Sequence, residues 1–187
     1  MTIPNFISIA RLICVPAIIW ALLDGDWLLA FVLFVLSGLS DGIDGFIARR
    51  FNQRSQLGAY LDPMADKALL VAVFVVLGAL GGLPSWLVIA VVTRDLLIVA
   101  AVLLSYVMGM PMTVRPLMVS KATTVSQIAL AAAALGQPAF AVSLGAAFDL
   151  LVGLTALLTV ISAAAYLVQW LRHMGSEETS GTEDHGE

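Results

Sequence analysis

Six apolar segments, each near the roughly 20 residues a helix needs to cross hydrocarbon, take up most of this chain. They run at about 6–23, 27–47, 60–80, 84–107, 119–136 and 145–171. The breaks between them are short: DGD at 24–26, RRFNQRSQLG at 49–58, LGGLPS at 80–85, MGMPMTVRP at 108–116 and GQP at 136–138. Lipid offers no partner for backbone N–H and C=O groups, so segments this short and apolar must be helices. The expected fold is an all-α integral membrane bundle of six transmembrane helices. Composition agrees, because only 12% of residues are charged, against about 25% in soluble domains.

Charge placement then predicts orientation. Arg49, Arg50 and Arg54 fall in the second connection, Arg115 and Lys121 around the fourth, and Arg172 after the last segment. The first, third and fifth connections carry no Lys or Arg, and the first holds Asp24 and Asp26. Basic loops stay cytoplasmic, which places both termini and the second and fourth connections on that side. Trp27, Trp86, Tyr106, Tyr166 and Trp170 lie near segment ends, where aromatic side chains anchor helices at the interface.

The first segment reads as a retained span, because Arg11 lies inside it and no small-residue cleavage site precedes Asp24. With no Arg- and Ser-rich leader in the sequence, a multi-pass protein of a bacterial inner membrane is expected. The net charge of −4 comes from the C-terminal stretch, where Glu177, Glu178, Glu183, Asp184 and Glu187 cluster. We therefore expect a membrane domain over 1–173 and a disordered acidic tail over 174–187. No basic surface suggests nucleic acid. Cys14 is the only cysteine, so disulfides and thiolate metal sites are not expected.

The carboxylates at the second connection carry the chemistry. Asp41 and Asp44 are spaced i, i+3, and Asp62 and Asp66 are spaced i, i+4. On helices, each spacing puts a pair on one face. Unpaired carboxylates at mid-membrane cost about 2.5–3.5 kcal/mol each on insertion scales. Positive charge must therefore sit among them. Arg49, Arg50 and Lys67 offer ion pairs, and divalent cations, which prefer clustered carboxylate oxygens, offer the alternative. One or two Mg²⁺ or Mn²⁺ ions near the cytoplasmic surface suit four such groups. Gly45, Ala48 and Gly58 are small residues beside the acidic face, where a flat group can approach the backbone. Arg49 adds a permanently charged donor for phosphate.

Taken together, Asp41-x2-Asp44-Gly45-x2-Ala48-Arg49-x8-Gly58-x3-Asp62-x3-Asp66 resembles the signature of the CDP-alcohol phosphatidyltransferases, with every fixed position and spacing present. The resemblance covers the chain to about Leu171. It implies that Asp41, Asp44, Asp62 and Asp66 hold two divalent ions, and that Asp66 is also the general base. It implies further that Asp44, Gly45, Ala48, Arg49 and Gly58 bind the nucleotide of CDP-diacylglycerol, and that the enzyme is a homodimer.

The acceptor is carried by weaker signals. IPNFISIARLICVP resembles both phosphatidylglycerophosphate synthases and cardiolipin synthases. NQRSQLGAYLDPMADK, Arg94-Asp95 and Ser120-Lys121 resemble the cardiolipin branch. Phosphatidylglycerophosphate synthases typically have Arg-Glu in the fourth span and another arginine eight residues after that arginine. Here Asp95 and Val102 stand in those places. A dianion such as glycerol 3-phosphate gains more from an extra cation than a phosphodiester lipid does. The expected acceptor is therefore phosphatidylglycerol, with glycerol 3-phosphate as the alternative.

Arg94, Arg115, Lys121 and Arg11 are the candidate acceptor or phosphate contacts, with a structural ion pair the competing role for Arg94 and Asp95. A cation-coupled transporter would also place carboxylates in membrane helices, but near the midplane of discontinuous helices. A prenyltransferase would place its aspartate motifs far apart in sequence. His173 and His185 lie in the polar C-terminal stretch and read as solvated.

Overall fold

The computed structural model describes the backbone of residues 3–51, 56–107 and 118–180, and within these the side chains of 13–40, 67–100 and 118–170. Six helices form in order: α1 (Ile3–Asp24), α2 (Trp27–Phe51), α3 (Gln56–Ala79), α4 (Ser85–Val107), α5 (Met118–Ala139) and α6 (Ala146–Ser180). No strand occurs among the described residues. The apolar segments thus become helices in the expected order.

Four boundaries differ from the hydrophobic pattern. α2 runs on to Phe51 and α3 begins at Gln56, because Arg and Gln extend helices nearly as well as Leu once the chain leaves hydrocarbon. α6 continues to Ser180, so the change of composition at 174 does not coincide with the helix end. Gly136 and Pro138, part of the expected fifth break, lie in α5. There Gly136 serves close packing: a Cβ at that position would stand 3.4 Å from the Phe31 ring of α2.

Each odd-numbered helix ends in the same way. Asp26 N–H donates to Ala21 O at 2.9 Å and Gly25 N–H to Leu22 O at 3.3 Å. Gly82 N–H donates to Leu77 O at 2.8 Å and Gly81 N–H to Gly78 O at 3.2 Å. Val142 N–H donates to Gln137 O at 3.0 Å and Ala141 N–H to Pro138 O at 3.4 Å. These are Schellman caps, whose turning residue must be left-handed. Gly25 (φ 81°) and Gly81 (φ 79°) adopt that conformation freely, whereas Ala141 (φ 52°) holds it against its own Cβ. Ala141→Gly is expected to stabilise the protein by about 1 kcal/mol, read as a higher melting temperature in detergent. On the far side of the first turn, the Asp26 carboxylate caps α2 by accepting from Leu29 N–H at 3.0 Å.

The first and fifth connections lie together, because Phe31 near the start of α2 and Phe140 just after α5 stack edge to face with ring centroids 5.2 Å apart. From this turn end inward the bundle core is apolar: Ile18, Leu22, Phe34, Val73, Phe74, Leu77, Leu87, Val91, Leu130, Leu135 and Val152 are all buried. Further along, the buried side chains become polar. The change falls between Phe34 and Ser37 on α2, Val91 and Arg94 on α4, Leu130 and Gln127 on α5, and Val152 and Thr155 on α6.

The outside shows the reverse pattern. Leu28, Val32, Leu36 and Leu39 form an exposed stripe on α2, and Leu150, Leu154, Leu157, Ile161 and Val168 form one on α6. Water-soluble monomers rarely expose such continuous apolar stripes. An apolar exterior around polar interior contacts is how helices pack in lipid. Among the described residues, Met118–Ala139 and Ala146–Trp170 are long and apolar enough to cross a bilayer, and Ile13–Asp24, Trp27–Ser40 and Lys67–Ala79 are shorter apolar stretches.

Candidate active site

The acidic motif occupies the polar half of the bundle. Asp41 and Asp44 lie on α2 beyond buried Ser37, and Asp62 and Asp66 lie on α3 just before Lys67. Both stretches are continuous helix. Each carboxylate pair therefore shares a helix face, which is what joint coordination of a divalent cation requires of α2 and α3. The side chains of Asp41, Asp44, Gly45, Ala48, Arg49, Gly58, Asp62, Asp66 and Arg11 lie outside the described residues, as does Arg115 altogether.

Beside the motif, the described side chains build a buried polar cluster. Arg94 is 3% exposed and Asp95 8%. Arg94 Nη1 donates to Asp95 Oδ1. Its Nη2 donates to Ser120 Oγ on α5 at 2.6 Å and to Ser162 Oγ on α6 at 2.6 Å. Nε adds a second contact to Ser162 at 3.2 Å. The guanidinium also lies 5.8 Å from the centroid of the Tyr166 ring, within cation–π range. Lys67 Nζ approaches the same Asp95 Oδ1 at 4.0 Å from α3. One carboxylate and one guanidinium thus tie together four helices.

A polar seam continues from this cluster between α5 and α6. Thr123 Oγ1 donates to Val119 O at 2.8 Å and to Leu158 O at 3.1 Å. Thr155 Oγ1 reaches Ser126 O at 3.4 Å. Buried Ser37 Oγ and Gln127 Nε2 have no hydrogen-bond partner among the described residues. Such groups call for a polar neighbour, since orphaned buried donors are costly.

Of the acceptor candidates, then, Arg94 lies in the buried cluster, and Lys121 is exposed beside Ser120. Sequence reasoning did not single out Ser162 or the cluster role of Tyr166. Tyr166, read as an interfacial anchor, is half-buried with its ring toward Arg94. A signal was present: Thr155, Thr159, Ser162 and Tyr166 recur every three or four residues through an otherwise apolar helix, marking one polar face.

A family model described as CDP-alcohol phosphatidyltransferase matches residues 1–171. The chain belongs to the CDP-alcohol phosphatidyltransferase family. Among its relatives, the human protein named "Cardiolipin synthase (CMP-forming)" is 34% identical over 181 residues, covering 88% of this chain and 60% of the human protein. A Mycobacterium tuberculosis protein named "Putative cardiolipin synthase" is 40% identical over 113 residues, 59% of this chain and 53% of its own. The rice protein "CDP-diacylglycerol--glycerol-3-phosphate 3-phosphatidyltransferase 1, chloroplastic" is 37% identical over 157 residues, 75% of this chain and 48% of its own. The chain thus spans between about half and 60% of these relatives' lengths. All six helices as far as Leu171 fall within the matched phosphatidyltransferase region.

Proposed function

We propose that this CDP-alcohol phosphatidyltransferase is a cardiolipin synthase, transferring the phosphatidyl group of CDP-diacylglycerol to phosphatidylglycerol with release of CMP. The observation that carries the reading is the eight-residue motif on two continuous helices, set in the polar half of a bundle whose exterior is apolar. A lipid-soluble substrate with a polar, charged headgroup needs that combination. The names of the human and Mycobacterium relatives favour phosphatidylglycerol as acceptor.

In this reading Asp41, Asp44, Asp62 and Asp66 hold two Mg²⁺ or Mn²⁺ ions, and Asp44, Gly45, Ala48, Arg49 and Gly58 bind the cytidine nucleotide. When bound, the ions neutralise the diphosphate and stabilise charge on the leaving CMP. Asp66 takes the proton of the acceptor hydroxyl. That oxygen bonds to the phosphorus bearing the diacylglycerol, the bond from this phosphorus to the bridging oxygen breaks, and CMP keeps the electron pair. All six helices span the membrane, with both termini and the site on the cytoplasmic side of a bacterial inner membrane, and two copies pair as a homodimer. Arg11, Arg115 and Lys121 supply acceptor-side positive charge.

A second reading takes glycerol 3-phosphate as acceptor, and the rice relative's name supports it. Purified protein given Mg²⁺, CDP-diacylglycerol and each acceptor in turn separates the two. CMP release is expected with phosphatidylglycerol. Release with glycerol 3-phosphate alone would reject the cardiolipin reading, and no CMP release with either alcohol would reject phosphatidyl transfer itself.

A further inference from the structure

We propose that Lys67 contacts a substrate phosphate and that the buried Arg94–Asp95 pair positions it. The inference rests on the phosphatidyl-transfer reading above and adds a residue to its site. Lys67 follows Asp66 directly on α3. A helix advances about 100° per residue, so Lys67 leaves the face shared by Asp62 and Asp66 and turns toward α4. There it meets Asp95. It thus stands between the acidic motif and the polar cluster of α4, α5 and α6.

Charge and exposure assign different roles within this cluster. Lys67, Arg94 and Asp95 together carry two positive charges and one negative. Arg94 is closed off: its donors engage Asp95, Ser120 and Ser162, Tyr166 lies against it, and almost none of it is exposed. The Lys67 side chain is 44% exposed, against 10% for Asp95. At 4.0 Å its ammonium is too far from the Asp95 carboxylate for a hydrogen bond. Attraction holds it in place without a hydrogen bond to that carboxylate. An ammonium is a compact point charge suited to a phosphate oxygen. The buried pair holds Lys67 from behind, because Arg94 fixes Asp95 to α5 and α6.

Both lipid substrates carry phosphate, so kinetics with each one varied decide which is touched. Initial rates of CMP release would be measured on the full chain in mixed micelles with Mg²⁺, CDP-diacylglycerol and phosphatidylglycerol, for wild type, Lys67→Gln, Lys67→Arg and Asp95→Asn. Lys67→Gln is expected to raise KM for one of the two lipids at least about tenfold, the loss typical of a charge-assisted contact. Its melting temperature should stay near the wild-type value. Lys67→Arg should largely restore that KM, and Asp95→Asn should shift the same KM by a smaller factor.

If Lys67→Gln does not fold, Lys67→Cys in a Cys14→Ser background, alkylated with 2-bromoethylamine, regenerates an ammonium at this position. Recovery of KM on alkylation supports the proposal. Values of both KM within twofold of wild type for Lys67→Gln would overturn it, as would no recovery with either Arg or the alkylated Cys. A wild-type protein that releases no CMP would overturn the phosphatidyl-transfer reading, and this inference with it. A working wild type with an indifferent Lys67→Gln overturns only the inference.

Discussion

Asparagine in place of Asp66 is expected to lower kcat by at least about 100-fold, since a positioned general base contributes 10²–10⁴. The substitution keeps side-chain size and one acceptor oxygen but removes the group that takes the hydroxyl proton. CDP-diacylglycerol binding, followed by equilibrium dialysis in detergent with Mg²⁺, should persist at reduced affinity because Asp41, Asp44 and Asp62 remain. The contrast with Asp41→Asn is informative, because that change removes a proposed metal ligand that is not the base, and should raise the Mg²⁺ concentration needed for half-maximal rate. Near-normal turnover by Asp66→Asn would refute the base assignment.

Replacing Arg94 by leucine is expected to cost about 3–5 kcal/mol of stability, the usual consequence of removing one partner from a buried ion pair. Among the described residues Asp95 would keep only the distant ammonium of Lys67, and the Ser120 and Ser162 hydroxyls would lose the donor that joins them. For a chain of this size the melting temperature should fall by on the order of 10 °C. The double variant Arg94→Leu/Asp95→Leu should recover much of the loss, since no uncompensated charge remains. Arg94→Lys should fall between wild type and Arg94→Leu, because one ammonium cannot hold Asp95, Ser120 and Ser162 as a planar fork does. An Arg94→Leu protein that melts within about 2 °C of wild type would show that the cluster is not structural.

These two predictions draw on different sources. That Asp41 shares a helix face with Asp44, and Asp62 with Asp66, was legible from spacing, because i, i+3 and i, i+4 fix a helix face whatever the helix packs against. The six helices were legible for a related reason: lipid leaves the backbone no other way to satisfy its hydrogen bonds. Helix ends were less legible. Hydrophobicity marks where a chain meets hydrocarbon, whereas α2, α3 and α6 extend through polar residues that also favour helix.

The Arg94 cluster was only half visible. Sequence showed two opposite charges side by side in an apolar segment, consistent with either an ion pair or a substrate contact. Which partners they take depends on which helices pack against α4, and Ser120 and Ser162 lie 26 and 68 residues away along the chain. No local pattern carries a contact across that separation. The second contact of Tyr166 was hidden for the same reason: proximity to a segment end suggested an interfacial anchor, and only packing shows its ring toward Arg94.

The sequence by itself determined the all-helical architecture, the acidic motif with its spacing, and hence the family, since each follows from local periodicity and residue chemistry. Only the tertiary structure decided that the polar residues of α2, α4, α5 and α6 gather in one half of the interior. It also decided that Arg94 is enclosed while the Lys67 side chain stays partly exposed beside the motif. Burial and partner choice are properties of several helices packed together, and they arise only once the bundle has formed.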